Sequence, residues 1–206
     1  LQAKLPVSIP NDYQIGDGLE KAAYSMELQT ELQDSLFKAA YQVIEEAIDD
    51  SIFPGAQIAI IKDNKILAHR GFGRQTYDVN SPPVTTKTMY DLASVTKVTA
   101  TTLVAMKLYE QKLIRLDIPV NSYLPQFKGG LKDSITLRHL LTHSAGIRAW
   151  DRLWEHANNR REALEYIYNL PLEYIPGDSM VYSDLGIIMV GEVLETVTRK
   201  TIDQLA

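Results

Sequence analysis

The sequence predicts an α+β fold in which one helix and a β-hairpin precede a mainly helical region. Apolar residues recur at helical spacing through residues 26–50, which is typical of an amphipathic helix. Two strand-like runs, Ala56–Ile61 and Lys65–Gly73, flank a polar stretch at 62–64 and predict an antiparallel hairpin. Beyond Ser94 the chain becomes mostly helical in character.

Clear breaks separate these elements along the chain. Residues 1–25 form an irregular lead, and Pro54-Gly55 ends the first helical region. A loop over 74–87 contains Pro82-Pro83. The later helices are predicted over 94–112, 136–142, 160–169 and 184–198. We therefore divide the main part of the chain into 26–80, a helix with a hairpin, and 81–206, a mainly helical lobe.

Composition is that of an ordinary globular protein, and it excludes several kinds of function. Of the 206 residues, 45% are hydrophobic and 23% are charged, with a net charge of −5. Adjacent Lys or Arg residues occur only as the doublets Arg160-Arg161 and Arg199-Lys200, which argues against a nucleic-acid footprint. The chain has no Cys, which excludes disulfides and thiolate chemistry. No apolar run reaches the roughly eighteen residues that span a bilayer.

The stretch Ser94-Val95-Thr96-Lys97 carries the strongest chemical signal. Ser94 lies where an extended segment gives way to a helical run, and Lys97 follows three residues later on the same helix face. A serine at a helix start with an amine beside it fits a nucleophile and its base. Tyr182 adds a second proton-handling group from far along the chain. The combination indicates acyl transfer through a covalent seryl intermediate.

The Ser-x-x-Lys spacing by itself is weak, because it also occurs at Ser35 and Lys38. That pair lies inside the first amphipathic helix and is interpreted as helix surface. For Ser94 the alternative is an N-cap serine, with Lys97 reaching solvent. The helix that follows is mostly apolar and therefore predicted to be buried, and an unpaired buried ammonium is costly.

Four ordered stretches resemble the serine β-lactamase and penicillin-binding-protein superfamily, in its class C β-lactamase and family VIII esterase branch. Residues 90–97 resemble the nucleophile segment with its Ser-x-x-Lys motif. The other three are residues 116–125, residues 135–147, and Pro176-Gly177-Asp178 leading into Tyr182-Ser183-Asp184-Leu185-Gly186. The resemblance extends from about Gln33 to the end of the chain. It implies a β-lactamase/transpeptidase-like fold, with a helical lobe and part of an antiparallel sheet.

The resemblance also implies roles for four residues. Ser94 would be the nucleophile, Lys97 its activating base and Tyr182 the proton shuttle to the leaving group. Asp184 would bind substrate at a position where many members carry Asn. Ionised Asp only accepts hydrogen bonds, whereas Asn also donates them, and a carboxylate near Lys97 favours the ammonium form. Lys97 and Tyr182 therefore remain alternatives for the base.

The third motif of that superfamily, Lys-Thr-Gly or His-x-Gly on a core strand, has no counterpart after Tyr182 in these 206 residues. We therefore expect residues 26–206 to be the N-terminal part of a longer serine hydrolase domain, with a sheet that is incomplete at the C-terminus. We expect such a piece to be weakly active or inactive, since an oxyanion-hole donor would be missing. We also expect it to self-associate through an open sheet edge. Residues 1–25 are either a linker or, by a short resemblance, the tail of a family-three glycoside hydrolase.

The expected function is that of a serine hydrolase that needs no cofactor. Its substrate would be an amide or ester, such as a peptidoglycan peptide, a β-lactam or a small ester, and by resemblance it would act in the bacterial periplasm or cell envelope. The alternatives are a non-catalytic binding or sensor module and a scaffold segment of a larger enzyme. His139 and His143 have a spacing that can bind zinc, but the Glu after the first His is missing and no third ligand is evident. Trp150 and Trp154 either line a pocket at the site entrance or pack in the core.

Overall fold

The structure is a computed structural model that describes residues 36–206. These residues fall into two compact units, one that ends at Asp91 and one that begins at Leu92. The predicted α+β composition is confirmed, with helices in both units and a two-stranded antiparallel sheet in the first. The lead over 1–25, the start of the first helix and Ser35 lie outside the described residues.

The first unit contains a helix and the predicted hairpin. Helix α1 spans Lys38–Asp49, strand β1 spans Gly55–Lys62 and strand β2 spans Lys65–Gly73. The strands pair with Gly55 opposite Gly73 and Lys62 opposite Lys65, with one irregularity after Ile60. The two loop residues, Asp63 and Asn64, have φ angles of 51° and 59°. Positive φ at both central residues is the requirement of a tight two-residue hairpin turn, and Asn and Asp tolerate it well.

Helix α1 packs on the hairpin through one face. Tyr41 is buried against Phe72, with ring centroids 5.4 Å apart, and Phe37, Ile44 and Ile48 pack around them. Leu36 belongs to the apolar residues at helical spacing that predicted this helix, but it is 61% exposed, so the prediction is wrong at this position. Successive helical residues turn by about 100°, so the face that carries residues 41, 44 and 48 includes residue 37 rather than residue 36.

The second unit is built almost entirely of helices. A π-helical segment, Lys97–Thr102, continues directly into helix α2, Leu103–Glu110. Two short 3₁₀ turns follow, at Val120–Ser122 and Gly130–Ser134. The remaining helices are α3 (Leu137–Leu141), α4 (Leu153–His156), α5 (Arg160–Asn169), α6 (Asp184–Thr198) and α7 (Ile202–Leu205). The four helices predicted for this region are confirmed, and α4 and α7 are additional.

Helix α6 forms the centre of this unit. Its apolar residues are buried on nearly all sides, including Leu185, Met189, Val193 and Leu194, and it packs against α3 among other elements. At its exposed side, Arg160 of α5 forms ion pairs with Glu192, at 2.5 Å, and with Glu195. The buried faces therefore fix the N-terminus of α6, where Asp184 lies, relative to its neighbours.

The helix that begins near Ser94 is buried on one face only. Val104, Ala105 and Leu108 are buried in the core of the second unit, but other apolar side chains of this helix are at least half exposed: Val95, Val98, Leu103 and Met106. The prediction of a wholly buried helix is therefore wrong. The reason is that the described residues of the second unit pack against only one side of this helix. In the part of the chain that the structure describes, no helix is long and apolar enough to cross a membrane.

Candidate active site

Ser94 lies on a tight turn that leads into a helix. The preceding residue, Ala93, has a φ of 43°, a left-handed conformation that is unfavourable for a residue with a Cβ. The N–H groups of Val95 and Thr96 donate to the carbonyls of Leu92 and Ala93, at 2.9 and 3.1 Å. These bonds close the turn and leave Ser94 exposed at its outer side.

The π-helical segment begins at Lys97, one turn after Ser94. Threonine hydroxyls in this segment donate to backbone carbonyls about one turn earlier in the chain. Thr99 donates to the Val95 carbonyl and Thr102 donates to the Lys97 carbonyl, both at 2.9 Å. Threonine is a weak helix former because its hydroxyl competes for backbone partners in this way. The threonine-rich sequence after Lys97 thus accompanies a local departure from α-helical geometry.

Lys97 is the residue that joins the predicted site residues. Its Nζ donates to Ser94 Oγ at 2.8 Å and lies 3.0 Å from Asp184 Oδ1. The same ammonium lies 5.5 Å from the centre of the Tyr182 ring, which is within the range of a cation–π contact. The structure therefore brings together all four side chains that the sequence singled out: Ser94, Lys97, Tyr182 and Asp184.

The charge state of Lys97 follows from these neighbours. Partial burial lowers the pKa of Lys97, but the interactions with Asp184 and Tyr182 together outweigh burial and hold the pKa above its ordinary value of 10.5. The amine is therefore an ammonium at neutral pH and acts as a hydrogen-bond donor to Ser94. This agrees with the effect that the sequence predicted for a carboxylate at position 184.

Asp184 is the first residue of α6, directly after the N-cap. Its backbone N–H donates to the Ala149 carbonyl at 2.8 Å. The preceding residue, Ser183, accepts the Gly186 N–H at 2.9 Å and donates its hydroxyl to the Arg148 carbonyl at 2.8 Å. A carboxylate in the first turn of a helix is favoured by the partial positive charge of the free N–H groups. The carboxylate of Asp184 is thus fixed by its helix on one side and by Lys97 on the other.

His143 also belongs to this site, and it was not predicted as part of it. Its ring centroid lies 4.5 Å from that of Tyr182, and its Nδ1 accepts the Ser183 N–H at 3.0 Å. Burial and the charge of Lys97 lower the pKa of His143, against opposing contributions from Asp184 and the Ser183 N–H. The imidazole is therefore neutral near pH 7. The only signal in the sequence was its place in one of the four family-like stretches.

His139 has a local structural contact. Its Nδ1 accepts the Thr136 N–H at 3.2 Å, and its own N–H donates to Thr136 Oγ1 at 3.3 Å, which closes the N-terminal turn of α3. One ring nitrogen of His139 and one of His143 therefore already accept backbone N–H groups. Within residues 36–206, no group of three or more His, Cys, Asp or Glu is placed to hold a metal ion.

A cavity of about 580 Å³ lies beside Lys97 and Asp184. Apolar side chains form much of its wall, among them Leu153, Leu164 and Ile187. Next to Leu153 in the chain, Trp150 and Trp154 are exposed and meet edge to face at 5.7 Å. The two tryptophans therefore contact each other at the surface, and the alternative that they pack in the core is wrong.

The family model described as Beta-lactamase matches residues 41–206, which include every residue of the site described above. The chain belongs to the beta-lactamase family. The predicted relationship to serine β-lactamases and penicillin-binding proteins is thereby confirmed, and with it the β-lactamase/transpeptidase-like fold.

Individual members of the family are similar over most of this chain. An N-acetylmuramyl-L-alanine amidase of Bacillus subtilis (strain 168) is 32% identical over 79% of this chain and 41% of its own length. The solved structure of EstCE1, a hydrolase with promiscuous acyltransferase activity, has a TM-score of 0.70 and 28% identity over 84% of this chain and 49% of that one. The D-alanine carboxypeptidase of Burkholderia cenocepacia has a TM-score of 0.66 and 25% identity over 82% and 45%. This beta-lactamase-family chain thus spans less than half the length of the relatives that it matches.

Proposed function

We propose that this chain carries the nucleophile of a serine hydrolase that forms an acyl-enzyme on Ser94. The observation that supports it most is the position of the Lys97 ammonium, 2.8 Å from Ser94 Oγ and 3.0 Å from Asp184 Oδ1. A surface N-cap serine needs no ammonium beside its hydroxyl, whereas a nucleophilic serine gains from a fixed positive charge that stabilises developing negative charge on its oxygen.

In the proposed reaction Ser94 Oγ attacks the carbonyl carbon of an amide or ester, and a new C–O bond forms. Since the raised pKa of Lys97 keeps its amine protonated at neutral pH, we assign the role of base to the Tyr182 oxygen. It takes the Ser94 proton and passes it to the leaving group when the carbonyl–heteroatom bond breaks. The charge of Lys97, 5.5 Å from the ring centre, stabilises the negative charge that develops on the Tyr182 oxygen during this transfer. Water then releases the acyl group from Ser94.

We further propose a peptidoglycan-type substrate and a place in the cell envelope. The support is that two similar proteins are named an N-acetylmuramyl-L-alanine amidase and a D-alanine carboxypeptidase. Both names describe hydrolysis of an amide bond. The apolar cavity beside Lys97 offers contact area next to the proposed nucleophile.

A second candidate is a non-catalytic binding module that keeps the fold. The observation in its favour is the Asp184 carboxylate, which holds Lys97 as an ammonium and so makes it a poor base. A fluorophosphonate probe separates the two candidates, because it labels only a nucleophilic serine. Labelling at Ser94, located by mass spectrometry, supports the hydrolase, and the absence of any adduct on the folded protein supports the binding module.

The decisive variant is Ser94→Ala in the intact protein, assayed with p-nitrophenyl acetate. We expect turnover to fall by at least about 10³-fold, because removing a nucleophile eliminates the covalent route. Ser134→Ala is a matched control. This serine is exposed and its hydroxyl only donates to the Leu131 carbonyl, so its loss should leave turnover unchanged. Equal activity of wild type and Ser94→Ala would exclude Ser94 as the nucleophile.

A further inference from the structure

The geometry points to His143 as a positioning residue that holds Tyr182 in place for proton transfer, an inference that rests on the function proposed above. His143 is far from Tyr182 in sequence but contacts three consecutive residues around it. No sequence motif for general acid–base chemistry assigns this histidine a part. Its contacts nevertheless converge on Tyr182, whose ring lies near the Lys97 ammonium without forming an ion pair with it.

The contacts form a clamp, which we define as His143 with residues 181–183. The His143 carbonyl accepts the Val181 N–H at 2.9 Å. Its Nδ1 accepts the Ser183 N–H at 3.0 Å, and its ring lies against the Tyr182 ring with centroids 4.5 Å apart and an interplanar angle of 38°. The backbone on both sides of Tyr182 and the ring itself are thus held by a single residue.

The backbone of His143 is adapted to these contacts. Its φ is 56°, a left-handed conformation in which a residue other than Gly is uncommon. The same carbonyl that accepts Val181 also accepts the Tyr174 hydroxyl at 3.2 Å. A backbone conformation of this kind persists only where surrounding contacts compensate for it, and here those contacts lie on the segment that leads to Tyr182.

The chemistry of the imidazole fits a holding role. To accept the Ser183 N–H, Nδ1 must be unprotonated, so the neutral ring carries its proton on Nε2. The lowered pKa of His143 keeps that state populated near neutral pH. Ser183 is only 3% exposed, and its N–H depends on this acceptor because a buried donor without a partner is costly. His143 therefore acts on the reaction through Tyr182 and need not touch the substrate.

The test is a double-mutant cycle on the intact protein with p-nitrophenyl acetate. We expect His143→Ala to lower kcat by about 10- to 100-fold through misplacement of Tyr182, with KM little changed. His143→Asn is the conservative variant, since Asn tolerates left-handed backbone and offers an oxygen to the Ser183 N–H. It should recover part of the rate. In a Tyr182→Phe background, adding His143→Ala should cost less than about threefold, because groups that act as a unit are not additive.

Two results would overturn the inference: a wild-type kcat in a folded His143→Ala protein, or the same fold-loss from His143→Ala with and without the Tyr182 hydroxyl. Failure of the proposed function looks different, because Ser94→Ala would then match wild type whatever happens at position 143. A crystal structure of His143→Ala gives an answer that does not depend on turnover. We expect the Tyr182 ring to be displaced or in several orientations, and an unmoved ring would refute the role.

Discussion

Lys97 determines how the candidate site can work, because its charge acts on Ser94, Tyr182 and Asp184 at once. An ammonium next to a serine hydroxyl cannot take the serine proton, but in the proposed reaction it can stabilise negative charge that develops on the Ser94 and Tyr182 oxygens. The sequence left Lys97 and Tyr182 as alternatives for the base, and the two alternatives therefore make opposite predictions about how activity depends on pH. Substitution of Asp184 distinguishes them.

We predict that Asp184→Asn shifts the alkaline limb of the kcat/KM profile to lower pH. Asp184 raises the pKa of Lys97, so its removal lowers that pKa, and the required ammonium is lost at a lower pH than in the wild type. The measurement is ester hydrolysis from pH 6 upward, since kcat/KM reports groups of the free enzyme.

Asp178→Asn provides the control for that profile. Asp178 is exposed and also lies in the stretch before α6, and its substitution should leave the alkaline limb in place. If Asp184→Asn instead gains activity toward neutral pH, then Lys97 works as a neutral amine and the assignment of Tyr182 as the base is wrong.

Helix α6 shows how local sequence signals set up the site. The Ser183 side chain is an N-cap, and its hydroxyl joins the Gly186 N–H to the Arg148 carbonyl. One small polar side chain thus ends one loop and starts the central helix. It also fixes the backbone between Tyr182 and Asp184.

We predict that Ser183→Ala lowers the free energy of unfolding by about 1–2 kcal/mol, the usual cost of losing an N-cap, and also lowers ester turnover. The matched control is Asn159→Ala at the start of α5, where the side chain accepts the Glu162 N–H at 3.0 Å. It should cost about 1 kcal/mol and leave turnover unchanged. Urea denaturation and steady-state kinetics check both, and equal turnover in the two variants would contradict the role of Ser183.

Much of this local structure could be predicted from sequence. The hairpin, the four main helices and the grouping of Ser94 with Lys97 follow from periodicity, turn residues and spacing. The π-helical segment was not predicted, although Thr99, Thr101 and Thr102 signalled a weak helix, because weak propensity does not specify which alternative geometry forms. His143 was missed as a partner of Tyr182 because that contact depends on tertiary structure between residues 39 positions apart.

The core of the second unit connects stability to the site. Leu140 of α3 is fully buried, and α3 packs on α6. Helix α3 ends shortly before His143, and helix α6 begins at Asp184. The packing between the two helices therefore supports both sides of the clamp around Tyr182. Loss of volume here should therefore affect stability and turnover together.

We predict that Leu140→Ala costs about 2–5 kcal/mol of unfolding free energy, the range for a buried leucine that leaves a cavity. Leu131→Ala is the control, because Leu131 is about half exposed and surface substitutions usually change stability by less than about 0.5 kcal/mol. Denaturant unfolding of both variants gives the comparison. A cost below about 1 kcal/mol at Leu140 would mean that this core collapses freely around the gap.

The π-helical segment has a consequence for how this family can vary in length. A π turn accommodates one residue more than an α turn does, since its bonds run from i to i+5 rather than from i to i+4. If a lineage lost one residue between Lys97 and Leu103, the helix could return to ordinary α geometry, but everything before the deletion would rotate by about 100° relative to α2. Ser94 and Lys97 would then turn away from Asp184, while Val104 and Leu108 stayed in the core. Point substitutions among these threonines leave this residue count unchanged, whereas a single-residue deletion would separate Ser94 and Lys97 from Asp184 without unfolding the domain.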